Sequence, residues 1–341
     1  MATSSRLLAV FIASALLPLS AQSIVSSDSR PGVPNNPTPG SIPEGALLVK
    51  GATSSASDSE TALPESGSVS NNTYTNRYFG LSFPLPADWI QKSPGPPPSD
   101  SGRYGLTLLT PAPALKGLAG GSILITAQDM FFTPDPLTHA SDLVDFTKSH
   151  LQGDYKIEQE PSDAHIAGQR FISFGYGSPS TGLHWRILAT EIRCHTLEFV
   201  FMNRDPQTLD RLVREANAID LDSAVSTLSG AAQDDVPVCI KAYASAGNVI
   251  ERVDPLFTEH RYNPVPVRII VGKDGRIRHI HFLNAFPDQS KAVTEALNHW
   301  KFKPYIRDGK PVEVETGIMF GSRAPRLAAL SNPTSVAAPA R

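Results

Sequence analysis

The sequence predicts an α+β protein in which antiparallel strands form sheets that a small number of helices cover. Short segments that alternate apolar and polar residues recur along most of the chain, which is typical of half-buried strands. Only a few segments carry apolar residues at the helical spacing of three and four. Because the strand segments come in runs and do not alternate regularly with helices, the pattern favours an α+β fold over an α/β fold.

Length, charge and missing motifs limit the classes of function. A chain of 341 residues is long enough for about two domains, and its hydrophobic fraction of 40% allows a sizeable core. The net charge of −3 argues against a nucleic-acid-binding protein. The sequence contains no Gly-rich phosphate loop after a strand, no G-x-S-x-G and no H-E-x-x-H. We therefore predict that the protein is not an enzyme and has no cofactor.

The N-terminus has the pattern of an export signal. Arg6 precedes an apolar run of 13 residues, Leu7–Leu19, and the small residues Ala21 and Ser23 offer cleavage points. The run is shorter than the roughly 20 residues that span a bilayer. We predict a signal peptide at residues 1–23 and a periplasmic or secreted protein. An uncleaved membrane anchor is the alternative, and membrane contact is expected only in that case.

The remaining chain divides by composition. Residues 24–72 are rich in Ser, Pro, Gly and Thr, and they carry too few apolar groups to offset the entropy of ordering. We therefore predict that residues 24–72 form a disordered tether. Residues 324–341 have a similar composition, and we predict that they form a disordered tail. Between these lie two predicted folded domains, residues 73–222 and 237–323, which a linker at residues 223–236 separates.

The first domain reads as an antiparallel sheet with two helices. In the segment Tyr78–Trp89, Leu81 and Phe83 alternate with Ser82, which predicts a strand that the following prolines end. Two more strands are predicted in the segments SGRYGLTLLTPAP and GGSILITAQDM. Asp205 and Pro206 are suited to begin the clearest helix, which we predict to run to Asp220. The other predicted elements are a helix at Asp135–Leu151 and strands at Tyr155–Gln159, Gln169–Gly175, His184–Thr190 and Cys194–Asn203.

The opening segment of this domain, YTNRYFGLSFPLPADW, resembles the start of the PsbP-like family, and so does the late hairpin followed by a terminal helix. The resemblance covers residues 73–222. It implies an α/β/α sandwich. Members of that family are mostly non-catalytic accessory proteins, so the resemblance indicates a fold more readily than a function.

The second domain predicts the order β-β-α-β. Apolar residues alternate on both sides of an Asp274-Gly275 turn, which indicates a hairpin. A helix with apolar spacing follows, and Asp288 or Ser290 is suited to cap it. Trp300 and Phe302 are expected to pack between this helix and the sheet, and Val312–Phe320 alternates as a final strand.

This domain resembles the C-terminal domain of the energy transducer TonB over about residues 245–323. The resemblance rests on Asp274-Gly275, on Trp300-Lys301-Phe302-Lys303-Pro304 and on Gly309-Lys310-Pro311-Val312. The chain departs from the family pattern in having Asp254-Pro255 where Tyr-Pro is usual, and prolines in place of a glycine before the first strand. The apolar run near the N-terminus also lacks the polar residue that couples a transducer to its proton channel, so energy transduction is not implied.

The final strand is the candidate binding site. A strand at a sheet edge presents unpaired main-chain groups to which an extended peptide can add. The resemblance implies that the peptide comes from an outer-membrane receptor, and Glu313 and Glu315 are expected on the solvent face beside it. The predicted peptide-binding edge consists of Val312, Glu313, Val314, Glu315, Thr316, Gly317 and Ile318.

We therefore predict an exported cell-envelope protein that binds partner peptides by strand addition and that is linked to outer-membrane transport. The alternative is a structural or assembly accessory protein that uses the last domain to form a homodimer.

Three further patterns each allow more than one interpretation. Residues 261–326 carry 12 Lys and Arg against 6 Asp and Glu, which we interpret as the solvated face of the last sheet. His279 and His281 share one strand face and His299 follows on the helix, but no further ligand completes a zinc set, so we interpret them as surface histidines and predict no metal. Cys194 and Cys239 either form one bridge or remain two buried thiols, and the second reading is favoured.

Overall fold

The computed structural model describes residues 52–112, 121–133, 139–221, 236–245, 247–258, 261 and 263–321. The predicted signal peptide, the first part of the tether, nearly all of the linker and the tail lie outside these residues. The α-helices are α1 (Ala140–Ser149), α2 (Pro206–Glu215) and α3 (Pro287–Leu297). No helix in the described part of the chain is both long and apolar enough to cross a membrane.

Most of the described chain is β-strand. The strands before α2 are β1 (Thr53–Ala56), β2 (Ser68–Ser70), β3 (Thr73–Asn76), β4 (Leu81–Pro84), β5 (Trp89–Ser93), β6 (Arg103–Pro111), β7 (Ser122–Asp129), β8 (Lys156–Ile166), β9 (Gln169–Ser178), β10 (Leu183–Ile192) and β11 (His195–Asn203). The strands after α2 are β12 (Val238–Cys239), β13 (Val249–Glu251), β14 (Val265–Val271), β15 (Ile277–Ala285), β16 (Lys301–Phe302), β17 (Tyr305–Arg307), β18 (Lys310–Val312) and β19 (Val314–Phe320).

The larger sheet has seven antiparallel strands in the order β5-β6-β7-β11-β10-β9-β8. One face carries Phe171, Leu188 and Phe199, which pack in a continuous core with Leu209 and Leu212 of α2. Asp205 begins α2 as predicted, because its side chain accepts hydrogen bonds from the N–H groups of Gln207 and Thr208. This helix ends at Glu215, earlier than predicted, and a short 3-10 turn continues to Ala218.

Helix α1 covers the face of the larger sheet opposite to α2. In β9, the side chains of Phe171 and Ile172 point to opposite faces because they are successive strand residues. Val144 of α1 lies beside Ile172, away from the core that contains Phe171. The larger sheet is therefore covered by one helix on each face.

The smaller sheet contains the predicted β-β-α-β order in β14, β15, α3 and β19. Its strand order is β1-β15-β14-β19-β12, so two short strands from elsewhere in the chain extend the expected three. Trp300 and Phe302 are buried in its core, as predicted. The helix start differs from the prediction: Phe286 is the N-cap, and its N–H donates to Oε1 of Gln289, so neither Asp288 nor Ser290 caps α3.

The other face of the smaller sheet is buried against the part of the molecule that is built on the seven-stranded sheet, which we call the larger half. Gly317 shows how close this approach is, since a Cβ added there would lie 2.5 Å from the Cβ of Phe131. Leu283 of β15 belongs to the core of the larger half, and Met319 of β19 packs against that core. The expectation of a solvated face is therefore wrong for these strands, and all described residues fall in one compact unit.

The predicted tether also differs from the structure in its last 21 residues, 52–72. Residues 53–56 form β1, which pairs antiparallel with β15 at the edge of the smaller sheet. Residues 68–70 form β2, which pairs with β3. A Ser-rich segment with few apolar groups is ordered here because its main chain and its carboxylates find partners on a sheet that lies more than 200 residues further along the chain.

Candidate strand-binding edge and the buried polar joint

A buried group of polar side chains joins the two halves of the molecule. We call Tyr78, Asp129, His195, Arg268 and Glu315 the polar joint; each is 4% exposed or less. Nη1 of Arg268 donates to Oδ2 of Asp129 from the other half. Its Nη2 lies 2.7 Å from Oε1 of Glu315 and donates to the hydroxyl of Tyr78 over 2.5 Å. One guanidinium thus binds two carboxylates and a phenol, which matches its several donors and fixed geometry.

His195 completes the polar joint in its neutral form. Arg268 can only donate, so Nε2 of His195, at 3.2 Å from Nη1 of Arg268, must accept. The proton of the ring is then on Nδ1, which donates to the carbonyl oxygen of Arg193 over 2.7 Å. Burial, together with the positive charge of Arg268, holds the pKa of His195 well below its ordinary value.

Burial and charge act in opposite directions on the two carboxylates. Burial raises the pKa of Asp129, against the opposing charge of Arg268. Burial also acts to raise the pKa of Glu315, but the charges of Arg268 and Arg193 outweigh it and lower that pKa. Ion pairs that are this deeply buried are costly to break, because removing one partner leaves the other charge unsolvated.

The polar joint lies beside an edge of the smaller sheet that a disulfide secures. Cys194 follows β10 and bonds to Cys239 of β12, with the two Cα atoms 5.6 Å apart. The favoured interpretation of two buried thiols is therefore wrong, and the bridge attaches β12 to the larger half. Beside it, β12 pairs in parallel with β19 at Val314 and Glu315.

The structure divides the predicted peptide-binding residues between several environments. Val312 ends β18, and Glu313 lies between β18 and β19, 3.0 Å from Nε of Arg278. The main chain of Val314 and Glu315 already pairs with β12. The expectation that the side chain of Glu315 faces solvent is wrong, since it belongs to the polar joint. The remaining residues of the set are Thr316, which is buried, and Gly317 and Ile318, which are partly buried.

The opposite edge of the smaller sheet holds a segment that the sequence did not indicate. We call residues 52–66 the strap. In β1 of the strap, Ser55 pairs with Phe282 and Ala56 with His281. The ladder continues at Ser57, whose N–H donates to the carbonyl of Ile280 over 2.8 Å.

Two carboxylates of the strap bind the predicted surface histidines. Oδ2 of Asp58 lies 2.6 Å from Nδ1 of His279, and Oε1 of Glu65 lies 3.0 Å from Nε2 of His281. Ser54 donates to the same Glu65 oxygen over 2.5 Å. Both histidines are buried, so their interpretation as surface residues is wrong; the strap covers the strand face they share.

Burial and hydrogen bonding shift the pKa values of the carboxylates of the strap and of His279. Burial lowers the pKa of His279, although Asp58 acts to raise it. Burial acts to raise the pKa of Asp58, but hydrogen bonds from the N–H of Thr61 and from His279 lower it well below its ordinary value. The pKa of Glu65 is lowered in the same way, because the hydrogen bond with His281 outweighs burial.

The described residues line a small cavity and an open groove. The cavity lies between the strap, Tyr78, Arg268 and His279, where the space for the centre of a water molecule is about 10 Å³, enough for about one water. The groove lies between α1 and the β8–β9 hairpin, and in it Arg170 donates twice to Asp163. Among the described residues, no group of His, Cys, Asp and Glu is placed to hold a metal ion. His299 is exposed at the end of α3, whereas His279 and His281 are buried beneath the strap.

Sequence reasoning missed the polar joint and the strap for different reasons. Arg268 stands alone among apolar residues in VPVRIIV, and such an isolated charge on a strand buried on both faces is a signal for a buried ion pair. Asp58 and Glu65 carry no comparable signal, because they stand in a polar, Ser-rich segment.

Neither the protein-family models nor the curated proteins that were searched match the chain. Among solved structures, the chain is similar to the solution structure of cyanobacterial PsbP (CyanoP) from Synechocystis sp. PCC 6803, at 16% identity and a TM-score of 0.31. That similarity covers 46% of this chain and 98% of the other. It is a weak similarity of fold.

Proposed function

We propose that this chain is a non-catalytic cell-envelope protein that binds an extended partner peptide by strand addition to the smaller sheet. The site we assign is the outer edge of β15, and the partner replaces β1 there. The observation that supports the proposal is β1 itself. It is a polar, extended segment of four residues that adds to the sheet as a peptide ligand would.

The β15 edge is better suited to exchange than the predicted β19 edge. On the β19 side, β12 is attached covalently to the larger half by the Cys194–Cys239 bridge, so a peptide cannot displace it without reduction. On the β15 side, β1 is held only by non-covalent contacts, and its pairing is irregular between Thr53 and Ser55. Residues 53 and 55 are exposed, so this strand contributes little apolar burial.

The resemblance to the TonB C-terminal domain supports the partner class. It implies a peptide from an outer-membrane receptor, and the predicted signal peptide would bring the chain to the compartment where such a peptide is found. Energy transduction is not part of the proposal. The alternative, an accessory protein that dimerises through its last domain, would use the same edges with a second copy as the partner.

The proposal is tested with the full chain carrying Ser55→Pro and Ser57→Pro. Proline at position 57 removes the N–H that donates to Ile280, and position 55 points the same way along the strand. A peptide with the sequence of residues 52–60 is then titrated, and the amide NMR signals of β15 and β19 are followed. We expect the β15 signals, Ile280 and Phe282 in particular, to shift with peptide concentration.

A second peptide with the same two prolines is the control and is expected to leave the β15 signals unchanged. Two results would overturn the proposal. If no amide signal shifts at millimolar peptide, the sheet does not take up strands. If only β19 shifts, the originally predicted edge at residues 312–318 is the binding site. Sedimentation of the native chain at increasing concentration separates peptide binding from dimerisation.

A further inference from the structure

We propose that the β15 edge selects its strand by three successive side chains: a small residue, a hydroxyl residue and a carboxylate. This inference rests on the proposed strand addition and names the class of peptide that the site accepts. In the native chain, Ala56, Ser57 and Asp58 occupy these three positions.

The small residue is required opposite His281. Ala56 pairs with His281, and paired residues project to the same face of the sheet. That face is closed over His281, which is only 2% exposed, by Ser54, Glu65 and the segment Thr61–Pro64. A long side chain at position 56 would have to displace Glu65 or this segment.

The hydroxyl residue replaces a main-chain acceptor. The N–H of Ile280 donates to Oγ of Ser57 over 3.0 Å, while the N–H of Ser57 donates to the carbonyl of Ile280 over 2.8 Å. Position 57 therefore satisfies both main-chain groups of Ile280, one through its backbone and one through its side chain. An alanine there would leave the N–H of Ile280 without this acceptor, and a buried unpaired donor is costly.

The carboxylate is recognised by a buried imidazole. His279 lies opposite the end of the added strand, and its Nδ1 is 2.6 Å from Oδ2 of Asp58. The other oxygen of Asp58 accepts from the N–H groups of Glu60 and Thr61, which fixes the rotamer that reaches His279. Because His279 is buried, the residue that binds it from the strand determines whether its polar nitrogen is satisfied.

The test uses peptides of residues 52–60 and the full chain carrying Ser55→Pro and Ser57→Pro. Binding of the native peptide is compared with that of three peptides carrying Ala56→Leu, Ser57→Ala or Asp58→Asn. We expect Asp58→Asn and Ser57→Ala each to weaken binding by about tenfold, because the free energy of a charged hydrogen bond exceeds that of a neutral one by about 1.4 kcal/mol and an unpaired buried donor costs a similar amount. We expect Ala56→Leu to weaken binding because the longer side chain must displace Glu65 or Thr61–Pro64. Shifts of the Ile280 amide and the His279 ring report the contacts directly.

The matched control is a peptide with Glu60→Gln. It loses the same charge as Asp58→Asn, but Glu60 is exposed and only its backbone contacts Asp58. We expect it to bind like the native peptide. If Asp58→Asn and Glu60→Gln weaken binding equally, net charge and not His279 decides affinity, and selection by a carboxylate is wrong. If all the peptides bind equally, strand addition stands and selection fails; if none binds, strand addition itself has failed.

Discussion

The two edges of the smaller sheet are both occupied by the chain's own segments, but they are attached by different physical means. β12 is covalently bonded to the larger half, and the strand it pairs with carries Glu315 into the polar joint. β1 has no disulfide, pairs irregularly and depends on hydrogen bonds that Ser57 accepts from Ile280 and Asp58 accepts from His279. The same kind of strand pairing is thus cross-linked at one edge of the sheet, the permanent edge, and held by hydrogen bonds alone at the other, which we propose is the replaceable edge.

The largest effect is expected at the polar joint, beside the permanent edge. Arg268→Met removes the guanidinium that binds both Asp129 and Glu315, which leaves Asp129 buried without it and leaves Glu315 with Arg193 at 3.9 Å. We expect the free energy of unfolding in urea to fall by about 3–5 kcal/mol. The control is Arg278→Met. The side chain of Arg278 is 53% exposed beside Glu313, so we expect this variant to lower the free energy of unfolding by less than about 1 kcal/mol. Equal losses in the two variants would contradict a structural role for the joint.

The disulfide should account for the next largest difference between the edges. Replacing Cys194 and Cys239 by serine opens a loop of 45 residues, which should reduce the free energy of unfolding by about 2–4 kcal/mol. Amide exchange should also quicken at residues that pair with β12. Treating the native chain with a reductant should reproduce both changes, whereas the serine variant should not respond to it. An unchanged stability would mean that the permanent edge does not depend on the bridge.

Loosening the replaceable edge should have a smaller global effect and a clear local one. Ser55→Pro with Ser57→Pro should lower the free energy of unfolding by about 1 kcal/mol for each hydrogen bond that is lost. Exchange of the Ile280 amide should quicken strongly, while exchange at Val314 and Glu315 stays unchanged. The control, Ser55→Ala with Ser57→Thr, keeps both N–H groups and the hydroxyl, and it should retain native protection. Equal exchange at both edges in the proline variant would remove the contrast.

Acid should loosen the replaceable edge in two stages. The folded-state pKa of His279 is below its unfolded value of about 6.5, so its contribution to stability is present above that pH and is lost as pH falls below it. Asp58 and Glu65 have lowered pKa values, so their contributions are present above about pH 4 and are lost on further acidification.

NMR signals of β1 and of the His279 ring, followed from pH 7.5 to 3, measure this loosening. In an Asp58→Asn variant, His279 loses the partner that raises its pKa, so its titration should move to lower pH. A titration that moves to higher pH would contradict the pairing of Asp58 with His279.

The local elements could be predicted because neighbouring residues determine them. The Asp205-Pro206 start of α2, the Asp274-Gly275 turn between β14 and β15, and the burial of Trp300 and Phe302 follow from capping, turn and periodicity rules. The edge partners could not be predicted in this way. Asp58 and His279 are 221 residues apart, and nothing in a Ser-rich segment indicates which strand it will join.

The alternation of polar and apolar residues along β14, β15 and β19 was predicted correctly, but the conclusion that their polar face is solvated was wrong. Arg268, His279, His281 and Glu315 do project from the face opposite the helix, as the period of two requires. A polar face is solvated only if nothing polar covers it. Here Asp129, Tyr78 and the strap supply matching groups, so the face is buried.

The sequence by itself determined the main helices and the longer strands of both halves and the β-β-α-β order of the last one, because these depend on contacts within a few residues. Only the tertiary structure decided that the two halves share a buried polar joint, that Cys194 and Cys239 are bonded, and that β1 and β12 close the edges of the smaller sheet. Those features depend on pairs of residues that are far apart in sequence. The residues next to a carboxylate or a thiol in the sequence do not indicate which distant group it will contact.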